Sequence, residues 1–245
     1  MHSLKNTYRF FVSPDTCSGD QIYLADADLA RQLGRVLRLG PGDRVLLLDG
    51  QGTACEVELR ELGRDRLLGQ VIHREQIADP GLDLTLYVAT LRPERFEWVL
   101  QKGTELGVRR FVPVQFARSL PADRADGKAE RWRRIIREAA EQACRSHLPA
   151  LDSPLSFTAA CFAATAADLA LILWEGTAPP LRDLLRGSPP TSVALLSGPE
   201  GGVTDEELTA ARERGIIPAS LGPQILRAET APIAAAAALS YEFMP

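Results

Sequence analysis

Lysine is nearly missing from this sequence of 245 residues: Lys5, Lys102 and Lys128 are the only three among 28 cations, and the rest are arginines. Arginine's planar fork suits phosphate and base edges better than an ammonium does, although genome base composition produces the same excess. Cysteine is sparse too. Cys17, Cys55, Cys144 and Cys161 are widely spaced with no CxxC pair, which argues against zinc and a disulfide framework and leaves free buried thiols as the expectation. The three histidines, His2, His73 and His147, have no metal-ligand spacing, so no metal is expected. No apolar run reaches the roughly 18–20 residues of a membrane span. The start MHSLKNTYRFF lacks the apolar stretch and cleavage site of a signal peptide. A cytoplasmic protein without a membrane anchor is expected. Nor is there a surplus of positive charge: 32 acidic residues leave a net charge of −4, so any RNA contact has to be local.

What is present reads as a globular chain, with 45% hydrophobic and 24% charged residues, long enough for one large or two modest domains. A boundary is expected near IADPGL, Ile77 to Leu82. Before it, YRFFV, DQIYLA, DRVLLLDG, TACEVELREL and RLLGQVIHRE read as short strands separated by Gly, Pro and Asp, a pattern that suggests a small barrel. One helix interrupts them. Leu29, Leu33, Val36 and Leu37 form its apolar stripe, and Arg31, Arg35 and Arg38 recur at i, i+4 and i+7 on another face. That ridge is either a grip on an RNA backbone or a solvated face paired with nearby Asp.

After the boundary strands alternate with helices, the rhythm of an α/β domain with a mostly parallel sheet. LDLTLYVATL, RRFVPVQF, DLALILWE, SVALLSGPEGG and GIIPASLGP supply the strands. PERFEWVLQKGTELGV starts on Pro93, carries the stripe Phe96, Val99, Leu100 and Gly103, and stops at Gly107. KAERWRRIIREAAEQACRSHLP buries Trp132, Ile135, Ile136, Ala139 and Ala143, and TDEELTAARERG is helical behind Thr204, whose spacing to Glu207 is a capping box. Ligands in open α/β sheets sit beyond the carboxyl ends of strands, which points to the loops ATLRPER, SGPEGG and SLGPQILRAETA. Four carboxylates, Glu200, Asp205, Glu206 and Glu207, in or behind the second loop would repel a polyphosphate and tolerate a cofactor cationic at its reactive centre. On its own GPEGG is either a binding loop or a structural turn.

Five ordered motifs, RVLRLGPGD, QKGTELGV, EAAEQACRSHLP, LLSGPEGG and LGPQILRAETA, spread over nearly the whole chain, resemble the RsmE family of bacterial small-subunit ribosomal RNA uracil N3-methyltransferases. This resemblance implies a PUA-like RNA-binding β-barrel over residues 1–76 and a SPOUT-class α/β domain with a trefoil knot over residues 77–245. It also implies S-adenosylmethionine as methyl donor, 16S ribosomal RNA or the small ribosomal subunit as partner, and a homodimer. Carried over, the cofactor lies against Ser197, Gly198, Pro199, Glu200 and Gly201 and against Leu221, Gly222, Leu226 and Thr230, with Leu196 and Leu221 flanking the adenine. Arg227 and Glu229 are the implied catalytic pair; Arg9, Arg31, Arg35, Arg38 and Arg145 are the implied RNA contacts.

Uracil N3 carries a proton at neutral pH. Glu229 is placed to accept it and Arg227 to stabilise charge developing on a carbonyl oxygen, unless the two only brace each other. N3 lies on the Watson–Crick edge, so the base has to be unpaired or flipped. Several positions depart from the family pattern: Tyr8 in the opening Tyr8-Arg9-Phe10, Gln32 before RVLR, Ser146-His147 in the third motif, and Gln224 before ILR. They remove charge or hydrogen-bonding groups from the RNA side and spare the cofactor loops. Two alternatives follow: a SPOUT methyltransferase acting on another RNA, or a non-catalytic RNA-binding or ribosome-assembly module.

Overall fold

The computed structural model describes residues 8–78, 81–119 and 127–243. Two compact units emerge: residues 1–79 together with 140–148, and residues 80–139 together with 149–245. Among the described residues no helix is long and apolar enough to cross a membrane.

The first unit carries β1 (Arg9–Phe11), β2 (Gln21–Leu24), β3 (Arg44–Leu48), β4 (Thr53–Leu62) and β5 (Leu67–Gln76), in the order β1-β3-β4-β5-β2. β1 runs parallel to β3 and the other pairs are antiparallel. Each strand grows from a run rich in branched residues. Phe10, Ile22, Val45, Leu47, Val57, Leu59 and Leu67 form one buried cluster. Phe11, Leu46, Leu48 and Ala54 form a second, covered by Ala140 and the half-buried Leu148. Burial on both sides explains why β3 reads as an unbroken apolar run rather than an alternating one. The 140–148 segment is held by polar bonds as well: the Phe11 N–H donates to Glu141 Oε1 at 3.0 Å, and the Leu148 N–H donates to the Gly50 carbonyl at 3.0 Å.

The helix of this unit departs from expectation. α1 (Ala27–Arg31) is capped by Asp26, whose carboxylate accepts from the N–H groups of Asp28 and Leu29. It then widens into a π-turn over Gln32–Val36, with the Leu37 N–H donating to Gln32 O and the Leu39 N–H to Leu33 O. The extra residue in that turn rotates Val36 off the buried stripe, leaving it 71% exposed, and Leu37 packs in its place. Arg38 falls beyond the helix with a left-handed φ of 58°. The ridge expected from Arg31, Arg35 and Arg38 is therefore broken at its third member.

The second unit holds β6 (Asp83–Ala89), α2 (Pro93–Glu105), β7 (Arg110–Gln115), α3 (Ala129–Gln142), β8 (Ala150–Leu151), β9 (Leu155–Ser156), α4 (Phe157–Ala164), β10 (Leu169–Leu173), α5 (Leu181–Leu184), β11 (Ser192–Ser197), α6 (Asp205–Glu213), β12 (Ile217–Ala219) and α7 (Thr230–Phe243); the C-terminal end of α3 is counted with the first unit. Its sheet runs β12-β10-β11-β6-β7-β8, with β9 also on β7, and every pair is parallel. α2 buries the expected Phe96, Val99, Leu100 and Gly103, and Gly107 ends it at φ 89°. Gly103 is needed there because a Cβ would stand 2.7 Å from the Phe111 ring. α7 packs on α2, β6 and β11 through Ala235, Ala236 and Leu239, and Ser240 Oγ donates to the Leu106 carbonyl at 2.6 Å. The chain leaves β6 towards β7 and later fills the opposite side with β10, β11 and β12. The direction of strand addition thus reverses beside β6 and β11, the place where α/β sheets open a crevice.

Candidate cofactor and catalytic site

The loops beyond the carboxyl ends of β10, β11 and β12, with the start of α2, enclose a cavity of about 460 Å³. Backbone dominates the β11 loop for a steric reason. A Cβ on Gly198 would stand 2.6 Å from Val203 Cγ2 and one on Gly201 3.0 Å from Arg118 Cβ. Gly202, at φ 76°, closes the turn by donating its N–H to the Pro199 carbonyl at 3.0 Å. Two anchors hold this loop from behind. Arg118 Nη1 donates to the Gly201 carbonyl at 2.9 Å. Glu207, 8% exposed, completes the expected capping box with Thr204 and also accepts the Ala117 N–H at 2.7 Å.

Of the cofactor residues expected from sequence, Ser197, Gly198, Pro199, Glu200, Gly201, Leu221, Gly222 and Leu226 all line the cavity. Leu196 and Thr230 do not: Leu196 is fully buried within β11, and Thr230 begins α7 with its N–H on the Arg227 carbonyl at 2.9 Å. The structure adds Trp174 and Glu175 at the end of β10. Gly176 leaves no room for a Cβ beside the Trp174 indole. Their sequence signal was the strand DLALILWE, whose carboxyl end had to face the same crevice.

Charge is concentrated at one edge. Arg95, in the first turn of α2, donates from Nη1 to Glu200 Oε1 at 3.2 Å and lies 3.6 Å from Glu229 Oε2. Arg227, with its side chain 76% exposed, reaches Glu229 Oε1 only at 4.0 Å. The Glu229 side chain is 14% exposed, and its Oε2 is buried with no hydrogen-bond donor among the described residues. Arg227 and Glu229, expected from sequence as a catalytic pair, thus stand 4.0 Å apart, and Arg95, which the sequence did not single out, lies beside Glu229. Glu229 is not among the residues that line the cavity, although Arg95, Glu200 and Arg227 are; its buried Oε2 accepts no hydrogen bond among the described residues.

The residues expected on the RNA side are more dispersed. Arg31 and Arg35 line a second cavity of about 310 Å³ together with Arg64 and the backbone of Gly34, Gly40 and Gly63. Arg31 also pairs with Asp28 at 3.0 Å. Arg38 is not among that lining, Arg9 sits on β1 opposite Leu46, and Arg145 is half-buried in the 140–148 segment. Lys102 and Glu105, one turn apart on α2, pair at 2.7 Å. Among the described residues no group of three His, Cys, Asp or Glu could hold a metal ion.

Comparison with known proteins places these features in a family. An RNA methyltransferase domain model matches residues 79–240, and an RNA methyltransferase PUA domain model matches residues 26–72. The ribosomal RNA small subunit methyltransferase E of Synechocystis is 36% identical over 95% of this chain and 77% of that protein. The chain belongs to the ribosomal RNA small subunit methyltransferase E family. A Bacillus subtilis member of the family is 33% identical over 84% of this chain and 85% of its own length. The crystal structure of the Neisseria gonorrhoeae member, bound to S-adenosyl methionine, superposes with a TM-score of 0.87 at 31% identity, covering 96% of this chain and 97% of that one. The family's two domain models therefore fall on the first unit's α1-to-β5 stretch and on the unit whose loops form the cavity.

Proposed function

We propose that this chain transfers a methyl group from S-adenosylmethionine to N3 of a uridine in 16S ribosomal RNA, using the β11 and β12 loops for the cofactor and Glu229 and Arg227 for the base. The observation that carries the reading is the glycine-rich cavity lined by Arg95, Glu200 and Arg227, two of which, Arg95 at 3.6 Å and Arg227 at 4.0 Å, pair with Glu229 just outside the lining. The residues present fit the cofactor. Backbone at Gly198, Gly201 and Gly222 offers close approach to an adenosyl group, and Glu175 and Glu200 in the lining favour a cationic ligand over a polyphosphate. When bound, the cofactor supplies an electrophilic methyl group on a sulfonium.

Glu229 would accept the N3 proton of the base, and Arg227, whose side chain is exposed, would offset negative charge growing on a carbonyl oxygen of the base. The walls of the cavity hold the reacting atoms in register, which supplies much of the acceleration. Arg31, Arg35 and Arg64 serve the RNA backbone through residues 1–76, and residues 77–245 carry the transfer. A homodimer is supported by α7, which is apolar on nearly every face yet leaves Ile233, Ala234, Ala237 and Ala238 half-exposed and Tyr241 90% exposed. The trefoil knot and cytoplasmic location implied by the resemblance belong to the same proposal.

The test is incubation of purified protein with labelled S-adenosylmethionine and small ribosomal subunits from cells lacking the endogenous enzyme, followed by nucleoside mass spectrometry. N3-methyluridine at a single small-subunit position is expected. Cofactor binding without label in these subunits would overturn the substrate assignment, and absence of cofactor binding would favour the non-catalytic RNA-binding alternative.

A further inference from the structure

We infer that Arg95 is a positioning residue that makes the cofactor loop and the proton-accepting carboxylate one unit; the inference rests on the function proposed for Glu229. Three observations converge. A single nitrogen, Arg95 Nη1, stands 3.2 Å from Glu200 Oε1 in the β11 loop and 3.6 Å from Glu229 Oε2 in the β12 loop. Glu229 Oε2 accepts no hydrogen bond among the described residues, so Arg95 meets it as an ion pair, and Arg227 approaches only the opposite oxygen, at 4.0 Å, from an exposed position. Arg95 is itself fixed, because it occupies the first turn of a 13-residue helix started by Pro93 and anchored by Phe96 and Val99. The two loops carry the two carboxylates; the helix carries the cation between them.

The consequence is directional. Without the guanidinium, the two carboxylates lose the cation they share, and Glu229, the more buried of the two, shifts its position or takes up a counter-ion. Arg95 also lines the cavity, but the β11 loop keeps its own anchors, Arg118 on the Gly201 carbonyl and the Gly202 N–H on the Pro199 carbonyl. Arg95 therefore acts on turnover through Glu229 far more than on cofactor affinity. Because one nitrogen serves both acids, an ammonium at the same place substitutes in part, unlike at a bidentate site where the guanidinium fork is indispensable.

The experiment compares wild type, Arg95→Ala, Arg95→Lys, Glu229→Gln and the double variant Arg95→Ala/Glu229→Gln, each measured for kcat and KM on small subunits, for S-adenosylmethionine Kd by calorimetry, and for Tm. Arg95→Ala is expected to lose roughly 10- to 100-fold in kcat, the range of a mispositioned general base, while Kd stays within about threefold. Arg95→Lys recovers most of the loss, and the double variant is no slower than Glu229→Gln alone. Equal kcat in Arg95→Ala and wild type, or losses that multiply in the double variant, would overturn the inference. If wild type itself fails to methylate the subunits, the functional proposal falls, and Tm decides the coupling separately. Glu229→Gln must then restore part of the stability lost in Arg95→Ala, and no restoration sinks the coupling.

Discussion

Replacing Glu207 by glutamine changes two atoms' chemistry and almost no volume, yet the structure predicts a large loss of stability. Both carboxylate oxygens accept backbone hydrogen bonds, Oε1 from Ala117 at 2.7 Å and Oε2 from Thr204 at 3.0 Å, in a side chain that is 8% exposed. Glutamine keeps one acceptor, but its NH₂ end confronts the other N–H with a second donor, and rotation of the amide only exchanges which bond is lost. Hydrogen bonds to charged groups contribute about 1.5–3 kcal/mol each, and a stranded buried N–H costs about 1–3 kcal/mol. A loss of about 2–3 kcal/mol is therefore expected for Glu207→Gln, against about 1 kcal/mol for removing the cap hydroxyl in Thr204→Ala. Urea unfolding followed by tryptophan fluorescence is the assay. Trp98, Trp132 and Trp174, the only tryptophans, all belong to the second unit, so the signal reports that unit alone. With a slope of about 2 kcal/mol/M the midpoint falls by about 1 M for Glu207→Gln. A midpoint within about 0.2 M of wild type at unchanged slope would refute the donor-conflict argument, and a smaller loss than in Thr204→Ala would show that the cap hydroxyl outweighs the carboxylate.

Two further predictions concern backbone and thiols. Gly202→Ala forces a side chain into φ 76° and places its Cβ 2.8 Å from Glu175 Oε1. Gly215→Ala meets the same left-handed conformation, at φ 80°, with nothing within 4 Å. Both should cost about 1–2 kcal/mol of stability, but only Gly202→Ala should weaken S-adenosylmethionine binding, by about tenfold on calorimetric titration; equal binding by the two would remove the loop from the cofactor site. Burial pushes the Cys17 thiol up to about 12 and the Cys161 thiol up to about 11, from an ordinary value of 9.0. A group whose pKa is raised on folding stabilises the fold below its unfolded value, and that contribution drains away as pH climbs towards the folded one. Stability should accordingly fall between about pH 9 and 12, and iodoacetamide at pH 8 should label exposed Cys144 in the native protein and leave Cys17, Cys55 and Cys161 for the unfolded chain. Native labelling of Cys17 would contradict this.

Periodicity made α2 legible, because its buried stripe repeats at the helical spacing, and the parallel strands β6, β7, β10, β11 and the three-residue β12 were legible as short apolar runs bounded by turn residues. It failed at Val36, where a π-turn changes the number of residues per turn and therefore the phase of everything after it. It also missed α4, whose FTAACFAA run is apolar on almost every face and so has no stripe to detect, and the two-residue strands β8 and β9, too short to show alternation. At the site, the loops that line the cavity were legible from their place at strand ends, whereas Arg227 and Glu229 were singled out through the family resemblance. Arg95 was not, since its partner Glu200 is 105 residues away and only the parallel stacking of β6 on β11 brings their loops to one edge. Leu196 shows the opposite failure: a motif neighbour of the binding loop is a strand residue whose side chain belongs to the core.

The membership of residues 140–148 in the first unit sets a timetable for synthesis. As the chain leaves the ribosome, β1 to β5 are available to pair once residue 76 has emerged, but the apolar surface of Phe11, Leu46, Leu48 and Ala54 has no cover until Ala140 and Leu148 follow. At about 5–20 residues per second that surface stays open for several seconds. β6, α2, β7 and most of α3 must be made in the interval, so the nascent chain passes through a stage in which neither unit is closed. A fragment ending at residue 79 would be held permanently at that stage and should aggregate rather than serve as a detachable RNA-binding module.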